Sequence, residues 1–248
     1  MQVESGSFWY NTTSQDRVTL LRNEQVTTAY SRWPMDVINL GRFDLPNAQK
    51  LFRREGFAER AWRWPMIKNL VSANGVFDAS EGAPPPYIIK EVTGPRIKGK
   101  KLRIGFIGLA EPIRPGAGVM DATVTNMFEA ARRVTLLARK ECDLLVIVAH
   151  SEMESAMRLA KENPEADVVI AGNAEGLFKP RQVGNTFVIG ASPGNTQQGD
   201  LRIYFDKGGR ASFKYISTDL DAAVPSDPEA AAFVETANRE LERVRFNQ

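Results

Sequence analysis

The sequence predicts an α/β protein folded as one domain with a helix at its C-terminal end, and three observations carry that expectation. Short β-branched runs alternate with helical patterns along most of the 248 residues. One run, Asp143 to Ala149, is continuously apolar, as expected of a central strand covered on both faces. Polar residues follow directly on such runs, at the strand ends where open α/β sheets bind their ligands.

The elements follow in order. Asp36 to Leu40 reads as a buried strand stopped by Gly41, and Pro46 opens a helix through about Glu55, with proline at the favourable first turn. Ile67 to Ala73 is a second strand. Ala83-Pro84-Pro85-Pro86 is a stiff connector, after which Tyr87 to Thr93 and Leu102 to Gly108 pair as a hairpin across Gly94-Pro95 and the basic stretch Lys98 to Lys101, read as a solvated loop rather than an anion site. Met127, Phe128, Ala131, Val134 and Ala138 share one face, so about Thr123 to Lys140 is an amphipathic helix. Strand Asp143 to Ala149 precedes a helix from Met153 to Glu162, ended by Asn163-Pro164. Asp167 to Ala171, Thr186 to Gly190, Asp200 to Asp206 and Ala211 to Ser217 are strands, the last two joined at Lys207-Gly208-Gly209. Ser226 and Glu229 form a capping box for a final helix with Ala230, Phe233, Ala237, Leu241 and Val244 on one side. Residues 1–225 are therefore expected as the domain and 226–248 as a terminal helix.

Composition excludes several classes. A hydrophobic content of 43% with 25% charged residues rules out disorder, collagen and coiled coil. A net charge of +2 provides no field for nucleic acid or an anionic membrane, and no apolar run reaches the ~18 residues a membrane span needs. The N-terminal residues have neither the basic nor the apolar region of a signal peptide. The single cysteine, Cys142, allows no internal disulfide and reads as a packing residue, and the single histidine, His150, excludes any mechanism with two imidazoles. Asn11-Thr12-Thr13 fits a glycosylation sequon, a triplet common by chance. Trp33, Trp62 and Trp64 with Arg60 and Arg63 read as an amphipathic cover, the alternative being a stacking surface for bases.

The strand ends carry the candidate site: Gly41-Arg42-Phe43-Asp44, His150-Ser151-Glu152, Gly172-Asn173-Ala174-Glu175 and Gly190 to Asn195. Their order and spacing resemble the calcineurin-like metallophosphatases, within them the catalytic domain of 5′-nucleotidases. Met35 to Asp44 is similar to that family's "yDav-lGNHEfD" block, Val71 to Asn74 to "lsaN", Tyr87 to Lys90 to "pYii", Arg103 to Leu109 to "kIGfiGl" and Ala149-His150-Ser151 to "lsHsg". Asp167 to Glu175 lies where "iDvIiaGHtH" would stand, and Gly199 to Asp206 fits the closing strand. The resemblance spans roughly residues 1 to 245 and implies a layered sandwich of mixed β-sheets flanked by helices.

It also implies two divalent metal ions that bridge a hydroxide and clamp phosphate oxygens. Matched residue by residue, that ligand set is largely replaced. No counterpart of the "D-x-H" strand is present. Ser7 stands where a bridging Asp would be, Arg42 where an Asn ligand would be and Phe43 where the catalytic His would be. The "GHtH" pair becomes Asn173 and Glu175, leaving His150 as the one retained ligand type, with Asp44 and Ser151 beside these positions. No catalytic residue is assigned, and no metal or other cofactor is expected. Arg42 carries a permanent charge that repels metal; it either pairs with Asp44 or Glu175, filling the pocket, or joins His150 in binding an anion. His150 has the same two readings, a hydrogen-bonded core residue or a ligand.

The expected function is a degenerate metallophosphatase-like domain that acts by binding an anionic small molecule or a protein partner. The alternative is a phosphoesterase for nucleotides or related esters, using two divalent ions such as manganese or zinc. The final helix would then correspond to the linker to a nucleotide-specificity domain. The resemblance suggests an extracytoplasmic setting.

Overall fold

The computed structural model describes residues 1–9, 16–45, 48, 64–77, 82–94, 101–112, 123–174, 179–191 and 196–246. The strands are β1 (Val3–Glu4), β2 (Val37–Asn39), β3 (Leu70–Val71), β4 (Gly75–Val76), β5 (Tyr87–Val92), β6 (Leu102–Ala110), β7 (Thr123–Val124), β8 (Leu144–His150), β9 (Val168–Ala171), β10 (Arg181–Val183), β11 (Thr186–Gly190), β12 (Gln197–Phe205) and β13 (Ala211–Asp219). The helices are α1 (Arg17–Arg32), α2 (Trp64–Ile67), α3 (Met127–Ala138), α4 (Met153–Glu162) and α5 (Pro228–Phe246).

Six strands form the central sheet in the order β10-β11-β9-β8-β6-β5, with β11, β9, β8 and β6 parallel and both edge strands antiparallel. Strand β8 shows why its sequence is apolar throughout. Leu145, Ile147 and Ala149 pack with Ala131, Val134, Ala156 and Leu159 under helices α3 and α4. The alternate residues Leu144, Val146 and Val148 pack on the opposite face with Val37 and Val71 of the second sheet and with Leu201, Ile203, Ala211 and Phe213 of the β12–β13 hairpin. The second sheet is parallel, in the order β1-β2-β3. Its far face turns Ile38, Leu40 and Leu70 toward Trp9, Met66 and Val26. The layers thus run helices, mixed sheet, second sheet with hairpin, helix: the expected α/β sandwich.

Several boundaries differ from expectation. Helix α3 begins only at Met127, because Asn126 caps it by accepting from the Phe128 and Glu129 amides, while 123–124 pair as β7 with β4. Of the strand expected over Ile67 to Ala73, only Leu70 and Val71 pair, and Ile67 closes the short helix α2. Helix α5 is capped by Asp227 rather than Ser226: its carboxylate accepts from Ala230 N at 2.9 Å, and Glu229 faces Arg32 at 3.5 Å. The five residues assigned to the apolar face of α5 are its less exposed ones. They meet α1, where Trp33 packs edge-on to Phe233 at 5.6 Å and Gln25 donates to the Ala237 carbonyl at 2.9 Å. Cys142 is buried in the core under α3 and α4.

Helix α1 has no counterpart among the patterned elements. Its buried residues are Thr19, Asn23 and Thr27, a polar stripe at a spacing of four that leaves no apolar period to read. The stripe is bonded instead: Trp9 Nε1 donates to Thr27 Oγ1 at 3.0 Å, and that hydroxyl donates to the Asn23 carbonyl at 2.8 Å. The helix expected from Pro46 lies outside the described residues except for Ala48, as do the sequon, Arg60, Trp62, Arg63 and Lys98; Lys101 pairs with Glu91 at 2.7 Å.

Candidate functional site

The carboxyl ends of β1, β2, β8 and β9 converge, and the loop after β1 lies among the other three. A Cβ on Gly41 would stand 2.5 Å from Ser7 N and 2.9 Å from His150 Cγ, and one on Gly172 would stand 2.6 Å from the Ser5 carbonyl. Gly6 has φ +108° with the Gly41 backbone closing on it, a conformation and a contact that only glycine accommodates. Ser7 itself sits at φ 65°, the left-handed region unusual for a residue with a side chain.

Asp44 fastens this junction. It is fully buried, its Oδ2 accepting from Ser7 N at 2.5 Å and Gly41 N at 2.8 Å and its Oδ1 from Trp9 N at 3.0 Å. Burial pushes its carboxyl up to about 7, against the pull of those three amides. Two further carboxylates reinforce the region. Glu4 accepts from Gly6 N at 3.1 Å and the Tyr30 hydroxyl at 2.7 Å, and burial followed by the Glu4 charge drives that hydroxyl far up. Glu111 accepts from Glu152 N at 3.3 Å and from the Ser155 hydroxyl, capping the start of α4.

His150 ends β8 and is 3% exposed. Burial first, and then the Arg42 charge, hold its imidazole down at about 4, so it is neutral at pH 7. The Arg42 guanidinium lies 4.8 Å over the Phe43 ring. Four buried polar atoms of this site have no hydrogen-bond partner: Ser7 Oγ, Arg42 Nε, His150 Nδ1 and Ser151 Oγ. Asn173 is half-buried, and its backbone N–H donates to the Ser151 carbonyl at 3.1 Å. The structure therefore brings Ser7, Arg42, Phe43, Asp44, His150, Ser151 and Asn173 to one end of the sheets, while Glu175 lies outside the described residues.

Two asparagines that do much of the positioning carry no chemistry of their own. Asn39 donates to the carbonyls of Ser5 at 3.0 Å and Leu109 at 2.9 Å, tying the β1 loop to the central sheet. Asn74 donates to the Ala110 and Thr125 carbonyls and accepts from Ala110 N. The readable signal for Asn39 is a lone polar residue inside an apolar strand.

These residues do not fit a dinuclear metal centre. No group of three or more His, Cys, Asp or Glu able to hold an ion occurs among the described residues. Both Asp44 oxygens are engaged by backbone amides, and a guanidinium stands beside the imidazole. No described helix is long and apolar enough to cross a membrane.

No family model and no curated protein matches the sequence. Solved structures do match its fold. The sulfate thiohydrolase SoxB of Thermus thermophilus superposes with a TM-score of 0.70 at 20% identity, over 95% of this chain and 42% of its own. The 5′-nucleotidase precursor of Thermus thermophilus gives 0.70 at 18% identity, over 97% of this chain and 49% of its own. The calcineurin-like phosphoesterase YfkN of Bacillus subtilis gives 0.68 at 18%, over 98% and 84%. The chain thus spans less than half the length of the first two. With this similarity over nearly all of its length, the chain has the fold of these calcineurin-like phosphoesterase and 5′-nucleotidase structures, and its described residues include no metal-ligand cluster.

Proposed function

We propose that this domain, residues 1–225 with the 226–248 helix as its terminal connecting element, acts by binding an anionic small molecule or a protein partner and does not hydrolyse phosphate esters. The observation that carries the reading is the Arg42 guanidinium beside the buried, neutral His150, with the nearby Asp44 carboxylate engaged elsewhere. Metal-ion catalysis of phosphoryl transfer needs carboxylates and imidazoles with free lone pairs facing open coordination positions. Here the buried carboxylate spends its oxygens on the amides of Ser7, Trp9 and Gly41, and the neighbouring strand end presents Arg42. The fold is thereby kept and its ends joined, with a cation where positive ions would otherwise bind.

The test is calorimetry with manganese and zinc, elemental analysis of the purified protein, and a phosphomonoester assay with either ion added. The expected result is no stoichiometric ion and no metal-dependent turnover. Two tightly held ions per chain with metal-dependent hydrolysis would overturn the proposal.

A further inference from the structure

Seven buried side-chain polar atoms among the described residues lack a hydrogen-bond partner, and four of them belong to the segments that follow or end β1, β2 and β8. Such atoms are uncommon in folded proteins, and a cluster of them calls for something that completes their bonds. Ser31 and Thr135 are single cases on helices, and Asn39 Oδ1 is an acceptor turned toward Gly108. The four at the strand ends differ in lying together in the fold, and each of them can donate. Arg42 Nε always carries its proton, Ser7 and Ser151 present hydroxyls, and the neutral His150 ring presents Nδ1–H in one of its two tautomers.

Their residues are neighbours in space or in sequence. A Cβ on Gly41 would stand 2.7 Å from Ser7 Oγ and 2.9 Å from His150 Cγ, so the hydroxyl and the ring flank one backbone point, and Arg42 is the next residue. His150 and Ser151 are at least nine-tenths buried, whereas Arg42, Ser7 and Asn173 are partly exposed. Asp44 is the nearby charge that would oppose an anion, but its oxygens are turned onto three amides. We infer that Ser7, Arg42, His150 and Ser151 form a metal-free receptor for a small oxyanion, either a free inorganic ion or the charged end of a phosphate or sulfate ester. A guanidinium supplies the charge, and donors from three chain segments enclose the oxygens from different sides. The inference rests on the binding reading above and gives that reading its ligand class.

Because His150 is the chain's single histidine, its ring signals in an NMR spectrum need no assignment. The full chain is titrated with inorganic phosphate, sulfate, acetate and methyl phosphate at pH 7 with a chelator present, against chloride at matched ionic strength. The expected result is a saturable shift of the His150 signals by phosphate or sulfate that chloride does not reproduce. Tighter binding of methyl phosphate than of phosphate identifies an ester end as the ligand, and the reverse identifies the free ion. Arg42→Gln should weaken the midpoint at least tenfold. Ser151→Ala, which removes only an unpartnered hydroxyl and so leaves the fold intact, should weaken it several-fold. No saturation beyond the chloride control, or saturation untouched by both substitutions, overturns the oxyanion site while leaving the non-hydrolytic reading in place. Saturation that appears only with manganese or zinc and vanishes with chelator overturns that reading as well.

Discussion

Asp44→Ala is the substitution from which the structure predicts the largest loss. The side chain is fully buried and receives three backbone N–H groups, from Ser7, Trp9 and Gly41. Leaving a buried donor unpaired costs about 1–3 kcal/mol, so three of them set a range of roughly 3–9 kcal/mol. Ser7 is only half-buried, which places the expected loss in the lower half, ~4 kcal/mol. The loss also depends on pH. Burial raises the Asp44 carboxyl to about 7, so between about pH 4 and pH 7 the folded chain keeps a proton that the unfolded chain has released. The native contribution of Asp44 is therefore complete below pH 4 and declines as pH rises through 7, by on the order of 4 kcal/mol for three units. Urea unfolding of both proteins at pH 5 and pH 8 measures this. The variant should be several kcal/mol weaker at pH 5, and the gap should narrow at pH 8. A loss below ~1 kcal/mol at pH 5 would refute the role of Asp44 as the fastener of the β1 loop.

Two further outcomes are expected. The folded His150 ring stays neutral down to about pH 4, while an unfolded histidine takes up its proton near 6.5, so acidification through that window costs the native state on the order of 3 kcal/mol. His150→Gln removes that cost but leaves the opposite contribution of Asp44, so the variant should gain urea stability relative to wild type between pH 6.5 and pH 4. Asn74→Ala leaves the Ala110 amide and the Ala110 and Thr125 carbonyls without their partner, and should cost about 3 kcal/mol in denaturant unfolding, with faster amide exchange at Ala110.

The sequence was most legible where burial follows a period. The Leu144–His150 strand, both ends of helix α4 and the inward face of α5 lie where apolar spacing puts them, because each packs its apolar residues on one or both sides. Helix α1 escaped because its inward stripe is Thr19, Asn23 and Thr27, held by hydrogen bonds that no hydropathy pattern records. The site divides in the same way. Arg42, Asp44, His150 and Ser151 were legible as polar residues placed directly after apolar strands. The pairing suggested between Arg42 and Asp44 is superseded, since the carboxylate turns to backbone amides instead. Glu4, Asn39 and Glu111 were not singled out, because their work is side-chain bonding to groups distant in sequence.

Arg42 puts a permanent cation at these strand ends, and a divalent ion beside it would be repelled. At an effective dielectric constant of ~20, a guanidinium about 5 Å from a dication is opposed by roughly 7 kcal/mol, a loss of about five powers of ten in metal affinity. Arginine cannot escape that cost by losing its proton. The histidine next to it can, and does: burial and Arg42 together keep His150 neutral, so one positive charge resides there at pH 7 rather than two. The strand ends are held together by side chains of the chain itself. Asp44 gathers three amides, Asn39 joins the β1 loop to the central sheet, and Asn74 joins β6 to the segment before α3. Those fasteners act through hydrogen bonds rather than coordination, so the convergence of the strand ends is a property of the folded chain itself. The strand ends present one permanent cation and a set of unpartnered donors, the two features on which the proposed oxyanion receptor rests.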